Sequence, residues 1–187
     1  MSGAPPALEP LPATAQLSPR VLTVLGQNPG RMTLQGTNTY LVGTGPTRLL
    51  IDTGEGVVAW DDNLRALLAQ HGCTALSAIL LTHWHHDHVG GLPHATQLLA
   101  PGGAIFKAQG ARDLPASLLA RCNPPHGIAA SAVLPIADGQ LFETEGARLT
   151  ALSTPGHTED HTSFLLQEEG AVFSGDTILG AGTGERC

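Results

Sequence analysis

Residues 82–91 bring together side chains that bind metal ions. They read T-H-W-H-H-D-H-V-G-G, in which three histidines and an aspartate follow the pattern H-x-H-x-D-H. Imidazole nitrogen suits zinc, iron, nickel and copper, whereas carboxylate oxygen suits harder cations. A mixed set at this density indicates that one loop serves two metal ions. The alternative interpretation, a solvated histidine-rich loop, does not require this spacing.

The spacing also indicates which side chains act together. Side chains alternate along an extended chain, so His83 and His85 point the same way and can bind one ion. Asp87 and His88 follow where the chain turns, and they can reach a second ion. Two ions about 3.5–4 Å apart polarise an ester-like bond and supply a hydroxide at neutral pH. The pattern therefore predicts a metal-dependent hydrolase.

Two further segments add candidate ligands. His157 follows an apolar run and a tight Pro-Gly turn, and we predict it as the third ligand of the first ion. Asp176 ends another apolar run and is placed to bridge both ions. Each taken alone is better interpreted as an ordinary turn histidine or a capping aspartate, so both predictions depend on the H-x-H-x-D-H motif. We expect Asp160 and His161 to support the turn that carries His157.

The loop needs a strand to position it, and residues 76–81 form an apolar run that predicts a buried strand ending at His83. Further strands are predicted at residues 21–25, 37–42, 48–51, 104–107, 141–144, 148–153, 162–167 and 171–174. Helices are predicted at about 61–71, capped by Asp61 or Asp62, and at about 92–99. Residues 109–131 are predicted to be irregular. This pattern favours an α/β fold with at least one sheet covered by helices.

Composition sets limits on the function. The chain has 187 residues, of which 42% are hydrophobic, enough for one domain at 20–187 after a disordered tail at 1–19. The formal charge of -7 argues against binding nucleic acid by broad neutralisation of phosphates. Three cysteines without a C-x-x-C predict neither a disulfide framework nor a zinc knuckle. No apolar run reaches transmembrane length, and no membrane partner is expected.

The order of these motifs, with Gly156 before His157 and Gly175 before Asp176, resembles the metallo-β-lactamase superfamily. The resemblance implies an αββα sandwich that binds two zinc ions. It implies His83, His85 and His157 on the first zinc, Asp87 and His88 on the second, and Asp176 between them. It also implies that Asp52, in the turn I-D-T-G, supports the ligands from behind, and that Asp87 is catalytic by handling protons. His71, His86, His94 and His126 match no ligand position.

A narrower resemblance comes from the stretch N-P-G-R-M-T-L-Q-G-T-N-T-Y at residues 28–40, with I-D-T-G and F-S-G-D. Together they are similar to the β-lactamase-like endoribonuclease of animal mitochondria. This implies cleavage of single-stranded RNA in the mitochondrial matrix, through a metal-bound hydroxide. A thioester hydrolase of the glyoxalase-II type, acting on a small ester or thioester, is the alternative, because the same ligands serve both reactions. The alternative location is the cytoplasm.

The sequence departs from the family at one ligand. The family places a last histidine of the second zinc site well downstream of the bridging aspartate, and no histidine follows Asp176 here. We therefore expect a sandwich that lacks its C-terminal part, with an incomplete and weaker second site. A catalytically impaired remnant that binds metal is a further alternative.

Overall fold

The larger of two sheets carries the predicted metal-binding loop. The computed structural model describes residues 9–110, 112–125 and 133–179. Seven strands follow one another in sequence order, namely β1 Thr14–Gln16, β2 Val21–Leu25, β3 Asn38–Val42, β4 Thr47–Ile51, β5 Ala75–Leu81, β6 Leu99–Ala108 and β7 Val133–Ile136. Strands β1 to β4 pair antiparallel, and β4 to β7 pair parallel. Each parallel pair requires a crossover connection, which is where helices are expected.

The helices lie in these crossovers. Helix α1 Val58–Gln70 connects β4 to β5, whereas α2 His86–Val89 and α3 Leu92–Ala95 lie between β5 and β6. Helix α4 Ala116–Leu119 follows β6. Two 3-10 turns are formed by Thr96–Leu98 and Gly175–Thr177. None of the helices in the described ranges is long and apolar enough to cross a membrane.

The smaller sheet is antiparallel throughout. Its strands are β8 Leu141–Thr144, β9 Ala147–Ser153, β10 Thr162–Leu166 and β11 Ala171–Phe173, in the order β11-β10-β9-β8. The 3-10 turn Gly175–Thr177 directly follows its edge strand β11.

The interior of the seven-stranded sheet is covered on both faces. Along β5, Ile79 and Leu81 pack in one apolar cluster with the helices, whereas Ala78 and Leu80 pack in another with the smaller sheet. This is the alternation that a strand imposes. Each of the four helices places buried side chains in the first cluster. Over the described residues the layers therefore run helices, sheet, sheet.

The predicted α/β class is confirmed, and the strands predicted at 21–25 and 141–144 have the bounds found. The predicted cap of the first helix is wrong: α1 begins at Val58, and Asp61 lies inside it, paired with Arg65. The helix predicted at 92–99 ends early because β6 begins at Leu99. Strand β7 was not predicted, and α4 lies inside the segment predicted to be irregular.

The predicted boundary at residue 20 lies too far along the chain. Residues 14–16 fall within the predicted tail, yet they pair with β2 as an edge strand. The Ser18 hydroxyl accepts the N–H groups of Arg20 and Val21 and so shapes the turn between the two strands. Strand β1 is held by backbone hydrogen bonds to β2 and buries little apolar surface. Its sequence therefore lacks the alternation of apolar and polar residues that predicts a strand. Residues 1–8 and 180–187 lie outside the described ranges.

Candidate metal centre

The predicted ligands converge at one end of the two sheets. Four of them follow β5, His157 lies in the turn between β9 and β10, and Asp176 lies in the 3-10 turn after β11. The N–H of Thr162 donates to the carbonyl oxygen of Thr82 at 2.8 Å, which joins the sheets beside these residues. Ligand sites are common where the carboxyl ends of parallel strands open.

Three histidines form one group, called here the histidine set: His83, His85 and His157. Nδ1 of His85 lies 3.0 Å from Nε2 of His83 and 2.8 Å from Nε2 of His157. Nitrogens on one tetrahedral zinc ion stand about 3.3 Å apart, so small outward shifts would admit an ion. Burial, and then the neighbouring histidines, lower the pKa of His83 below its ordinary value. The ring is therefore neutral, as a metal ligand must be.

Asp87, His88 and Asp176 form the second group, called here the carboxylate set. Nε2 of His88 lies 3.3 Å from Oδ2 of Asp87 and 3.2 Å from Oδ1 of Asp176. The other oxygen of Asp176, Oδ2, lies 3.5 Å from Nε2 of His157 and 4.0 Å from Nε2 of His83. One carboxylate thus presents an oxygen to each set, which is the geometry of a bridging ligand.

Two glycines allow the loop to pass close to the end of β4. A Cβ atom at Gly91 would collide with the carbonyl oxygen of Thr53, and one at Gly90 would collide with that of Glu55. This close approach lets the N–H of Thr53 donate to the carbonyl oxygen of His88 at 2.8 Å. The single turn of α2 that carries the carboxylate-set residues of the loop is held in this way against the sheet.

Asp52, predicted to support the ligands, anchors the loop from behind. Its Oδ1 accepts the N–H of Thr82 at 2.8 Å, and its Oδ2 accepts the hydroxyl of Thr82 at 2.8 Å. Oδ2 also lies 2.7 Å from Nδ1 of His88. This contact turns Nε2 of His88 toward the carboxylate set, as carboxylates commonly orient histidine ligands. Asp52 has a φ of 57°, a left-handed conformation that few residues other than glycine adopt.

The electrostatics of the carboxylate set favour a cation. Burial opposes the charged form of His88, but Asp52, Asp176 and Asp87 outweigh it and raise the pKa well above its ordinary value. Nε2 of His88 is buried and lies between two of these carboxylates, 3.2 Å from Asp176 and 3.3 Å from Asp87. A metal ion can replace the proton at this nitrogen, because metal binding displaces protons from its ligands. The two donor sets therefore fit two divalent ions.

Thr37 was not singled out by the sequence, yet it contacts the carboxylate set. Its hydroxyl donates to Oδ2 of Asp87 at 2.8 Å, and its N–H donates to Oδ1 of Asn28 at 3.0 Å. Burial opposes ionisation of Asp87, but His88 and the Thr37 hydroxyl outweigh it and hold the pKa of Asp87 below its usual range. Both Asn28 and Thr37 belong to the motif at residues 28–40, which does not reveal which side chain reaches Asp87.

His161 connects the two turns that come from the smaller sheet. Its Nε2 accepts the N–H of Asp176 at 3.2 Å, and its Nδ1 lies 2.9 Å from the hydroxyl of Thr154 and 3.1 Å from that of Thr177. Burial lowers the pKa of His161 to about 4. The neutral ring therefore supports Asp176 in addition to the turn of His157.

Among the described residues, the other three histidines outside the metal centre do not join either set. His86 is exposed on α2, and His71 is the residue that directly follows α1. His94 contacts Asp61 instead, at 3.4 Å. His126 lies outside the described residues.

The model of the Metallo-beta-lactamase superfamily matches residues 32–186. The chain belongs to the metallo-beta-lactamase superfamily. The predicted sandwich class is thereby confirmed. Among solved structures, a metallo-beta-lactamase family protein from Thermus thermophilus is similar, with a TM-score of 0.67 and 27% identity. That similarity covers 89% of this chain and 62% of the Thermus chain.

Two curated relatives are much more similar in sequence. The chain is 48% identical over 179 residues to the atrochrysone carboxyl ACP thioesterase nsrC of Aspergillus novofumigatus, covering 94% of this chain and 49% of the relative. It is 46% identical over 184 residues to the lactamase-like protein ptaB of Pestalotiopsis fici, covering 98% and 52%. The chain therefore spans about half the length of the curated relatives it matches.

These relatives do not support the narrower resemblance to an endoribonuclease. One carries the name of a thioesterase and the other that of a lactamase-like protein. Single-stranded RNA and the mitochondrion were implied by that resemblance alone, so RNA has no support here and the location stays a prediction. The difference has a physical reason, since one set of metal ligands can serve both reactions. The thioester hydrolase, our alternative, agrees with the named relative.

Proposed function

We propose that the chain is a metal-dependent hydrolase of acyl thioesters borne by a carrier protein. The histidine set would hold one zinc ion and Asp87 with His88 a second, while Asp176 would offer one oxygen to each. The convergence of the two donor sets supports the metal chemistry. The 48% identity with an ACP thioesterase supports the substrate class.

One observation carries the choice of substrate, a cavity of about 530 Å³ beside the carboxylate set. Asp87, His88 and Asp176 line it together with exposed apolar side chains, among them Met32 and Ile178. Its lining, taken over the described residues, includes no lysine or arginine. An apolar acyl group suits such a wall, whereas an RNA backbone is normally bound through basic residues.

The chain's own residues have separate roles in the proposed reaction. When bound, the two ions would polarise the thioester carbonyl and activate a water molecule for attack on the carbonyl carbon. Asp176 contacts residues of both donor sets, and Asp52 directs Nε2 of His88 toward the carboxylates of Asp87 and Asp176. The Thr37 hydroxyl orients Asp87. Asp87 is ionised before the reaction and would accept the proton of the attacking water. The acyl group leaves as a carboxylic acid and the carrier as a thiol.

The test is a hydrolysis assay of the zinc-loaded chain with an acylated carrier protein, a small acyl thioester and a single-stranded RNA. We expect turnover of the carrier thioester, which His83→Ala abolishes. His86→Ala is the matched control, because His86 is exposed in the same run of residues. It should retain the activity.

Two results would contradict the proposal. Cleavage of RNA that is lost in His83→Ala, without thioester turnover, would favour the endoribonuclease. Tight metal binding without turnover of either substrate would favour a catalytically impaired remnant.

A further inference from the structure

One buried ion pair outside the proposed ligands connects the two sheets. Lys107 lies near the end of β6, and Asp160 lies in the turn between β9 and β10. Nζ of Lys107 lies 2.8 Å from Oδ2 of Asp160, and the side chains are 5% and 2% exposed. Over the described residues, no other lysine or arginine ion pair has both side chains so deeply buried.

The Lys107 ammonium also holds the loop that follows β6. It donates to the carbonyl oxygens of Ala108 at 2.9 Å and Arg112 at 3.3 Å. A Cβ atom at Gly110 of this loop would lie 2.7 Å from Cβ of Asp160. The loop and the turn are therefore in direct contact, and the ammonium group binds both.

The turn held by Asp160 is the one that carries His157. Its shape is fixed locally, since the N–H of Gly156 donates to the carbonyl oxygen of Thr158 at 3.2 Å and the N–H of Thr154 donates to that of His161 at 2.9 Å. These bonds do not set its position relative to the larger sheet. The contact of Asp160 with Lys107 does, beside the hydrogen bond from the N–H of Thr162 to the carbonyl oxygen of Thr82 at 2.8 Å. Lys107 extends from the larger sheet, whose strand β5, next to β6, leads into His83 and His85.

We propose that Lys107 and Asp160 are positioning residues of the histidine set, and that their ion pair keeps His157 within reach of the ion held by His83 and His85. The inference rests on the metal site of the proposed function. A buried ion pair loses the hydration of both charges, and an apolar pair of similar volume is often at least as stable. Stability alone therefore does not explain this pair, whereas a requirement for geometry does.

The first test measures metal affinity in the full chain. Metal-free protein is titrated with cobalt(II), and the spectra of the two sites are assigned with His157→Ala and His88→Ala. We expect Lys107→Met to weaken the histidine set about ten-fold, in the range found for residues behind metal ligands, and to leave the carboxylate set unchanged. Arg148→Met is the matched control, because Arg148 lies on β9 and its substitution removes an exposed ion pair, 3.1 Å long, with Glu168 after β10. It should change neither set.

A second measurement needs no metal. We expect hydrogen exchange at the amides of Gly156 and His161 to accelerate in metal-free Lys107→Met, while the amides of β5 keep their protection. This separates the two proposals: a chain that binds no cobalt contradicts the proposed function, and the exchange at this turn still decides whether the pair positions it. Unchanged exchange at these amides would overturn the inference.

The double variant Lys107→Met with Asp160→Leu controls for folding, because it leaves no unpaired buried charge. We expect it to unfold cooperatively and still to bind cobalt about ten-fold more weakly at the histidine set. Full cobalt affinity in the double variant would overturn the inference, because the ion pair would then have no effect on the position of His157. Equal weakening of both sets would overturn it as well.

Discussion

The two sheets contribute to the metal centre in different ways. The seven-stranded sheet supplies four of the six proposed ligands from the single loop after β5, and Asp52 of the adjacent strand end holds that loop. The four-stranded sheet supplies one ligand from each of two turns, His157 and Asp176. His161 joins those turns to each other.

The difference separates a preformed part of the site from a part that depends on packing. The loop after β5 is anchored to its own sheet through short contacts between neighbouring strand ends. The turns of the smaller sheet reach the same point only when the two sheets are packed together. Both donor sets contain a residue from each sheet, so we expect neither to be complete unless the sheets dock correctly.

The largest expected effect comes from removing one ligand of the histidine set from either sheet. We predict that His83→Ala and His157→Ala each weaken zinc binding at this set by at least about 100-fold, beyond the loss of a supporting residue. Competition with a chromophoric chelator measures the affinity, with His86→Ala as control. Near-normal affinity in His157→Ala would show that the smaller sheet is dispensable.

The next effect concerns the anchor of the larger sheet. Asp52→Asn keeps the shape of the side chain but removes the charge beside Nδ1 of His88. We expect the carboxylate set to bind zinc about 10–100-fold more weakly, and the free energy of unfolding to fall by about 3 kcal/mol as a buried charge pair is broken. Zinc titration and urea denaturation measure the two quantities. Asp113→Asn, at an exposed position, is the control. An equal effect in this variant would show that Asp52 has no specific role in orienting His88.

A smaller effect is expected at the anchor of the other sheet. His161→Phe keeps a planar ring but leaves the N–H of Asp176 without its acceptor, which costs about 1–2 kcal/mol. Asp176 belongs to the carboxylate set and also faces the histidine set. We therefore predict that the zinc affinity of each set falls about ten-fold. Zinc titration distinguishes this from Asp52→Asn, which should affect the carboxylate set alone. Weakening of a single set in His161→Phe would contradict the bridging position of Asp176.

The smallest effect is expected at Thr37. Thr37→Val removes one hydrogen bond to Asp87, worth about 1 kcal/mol, so we predict a rate of thioester hydrolysis about five-fold lower at saturating substrate. Thr23→Val is the control, because its hydroxyl donates to the carbonyl oxygen of Thr39, within β3, at 3.2 Å. The same loss in both variants would mean that the Thr37 contact has no specific role.

The contrast between the sheets also explains what the sequence could predict. The residues from His83 to His88 are close in sequence, so their spacing alone revealed two groups of ligands. His157 and Asp176 could be predicted only as candidate ligands. Each is an isolated turn residue, and only the fold shows that both lie beside the loop after β5. Strands with an apolar run, such as β5, were predicted well, and β1 was missed because its residues show neither an apolar run nor alternation.

Contacts between distant elements were beyond the sequence. Nothing in the residues around Lys107 reveals that its ammonium meets Asp160 across two sheets, and nothing in residues 28–40 reveals that Thr37 reaches Asp87. The substrate was predicted less well than the metal ligands for a related reason. The ligands fix the chemistry of the ions, whereas the cavity that selects a substrate is lined by residues from several elements.

The central claim is that Asp176 joins two donor sets supplied by two sheets. Zinc titration of the metal-free chain tests it, with Asp176→Asn compared against His157→Ala and His88→Ala. We predict two zinc ions per unsubstituted chain, the tighter at the histidine set, and weakening of both in Asp176→Asn, whereas each histidine variant weakens one. A single zinc ion per chain, or an Asp176→Asn variant that weakens one set or neither, would contradict the account.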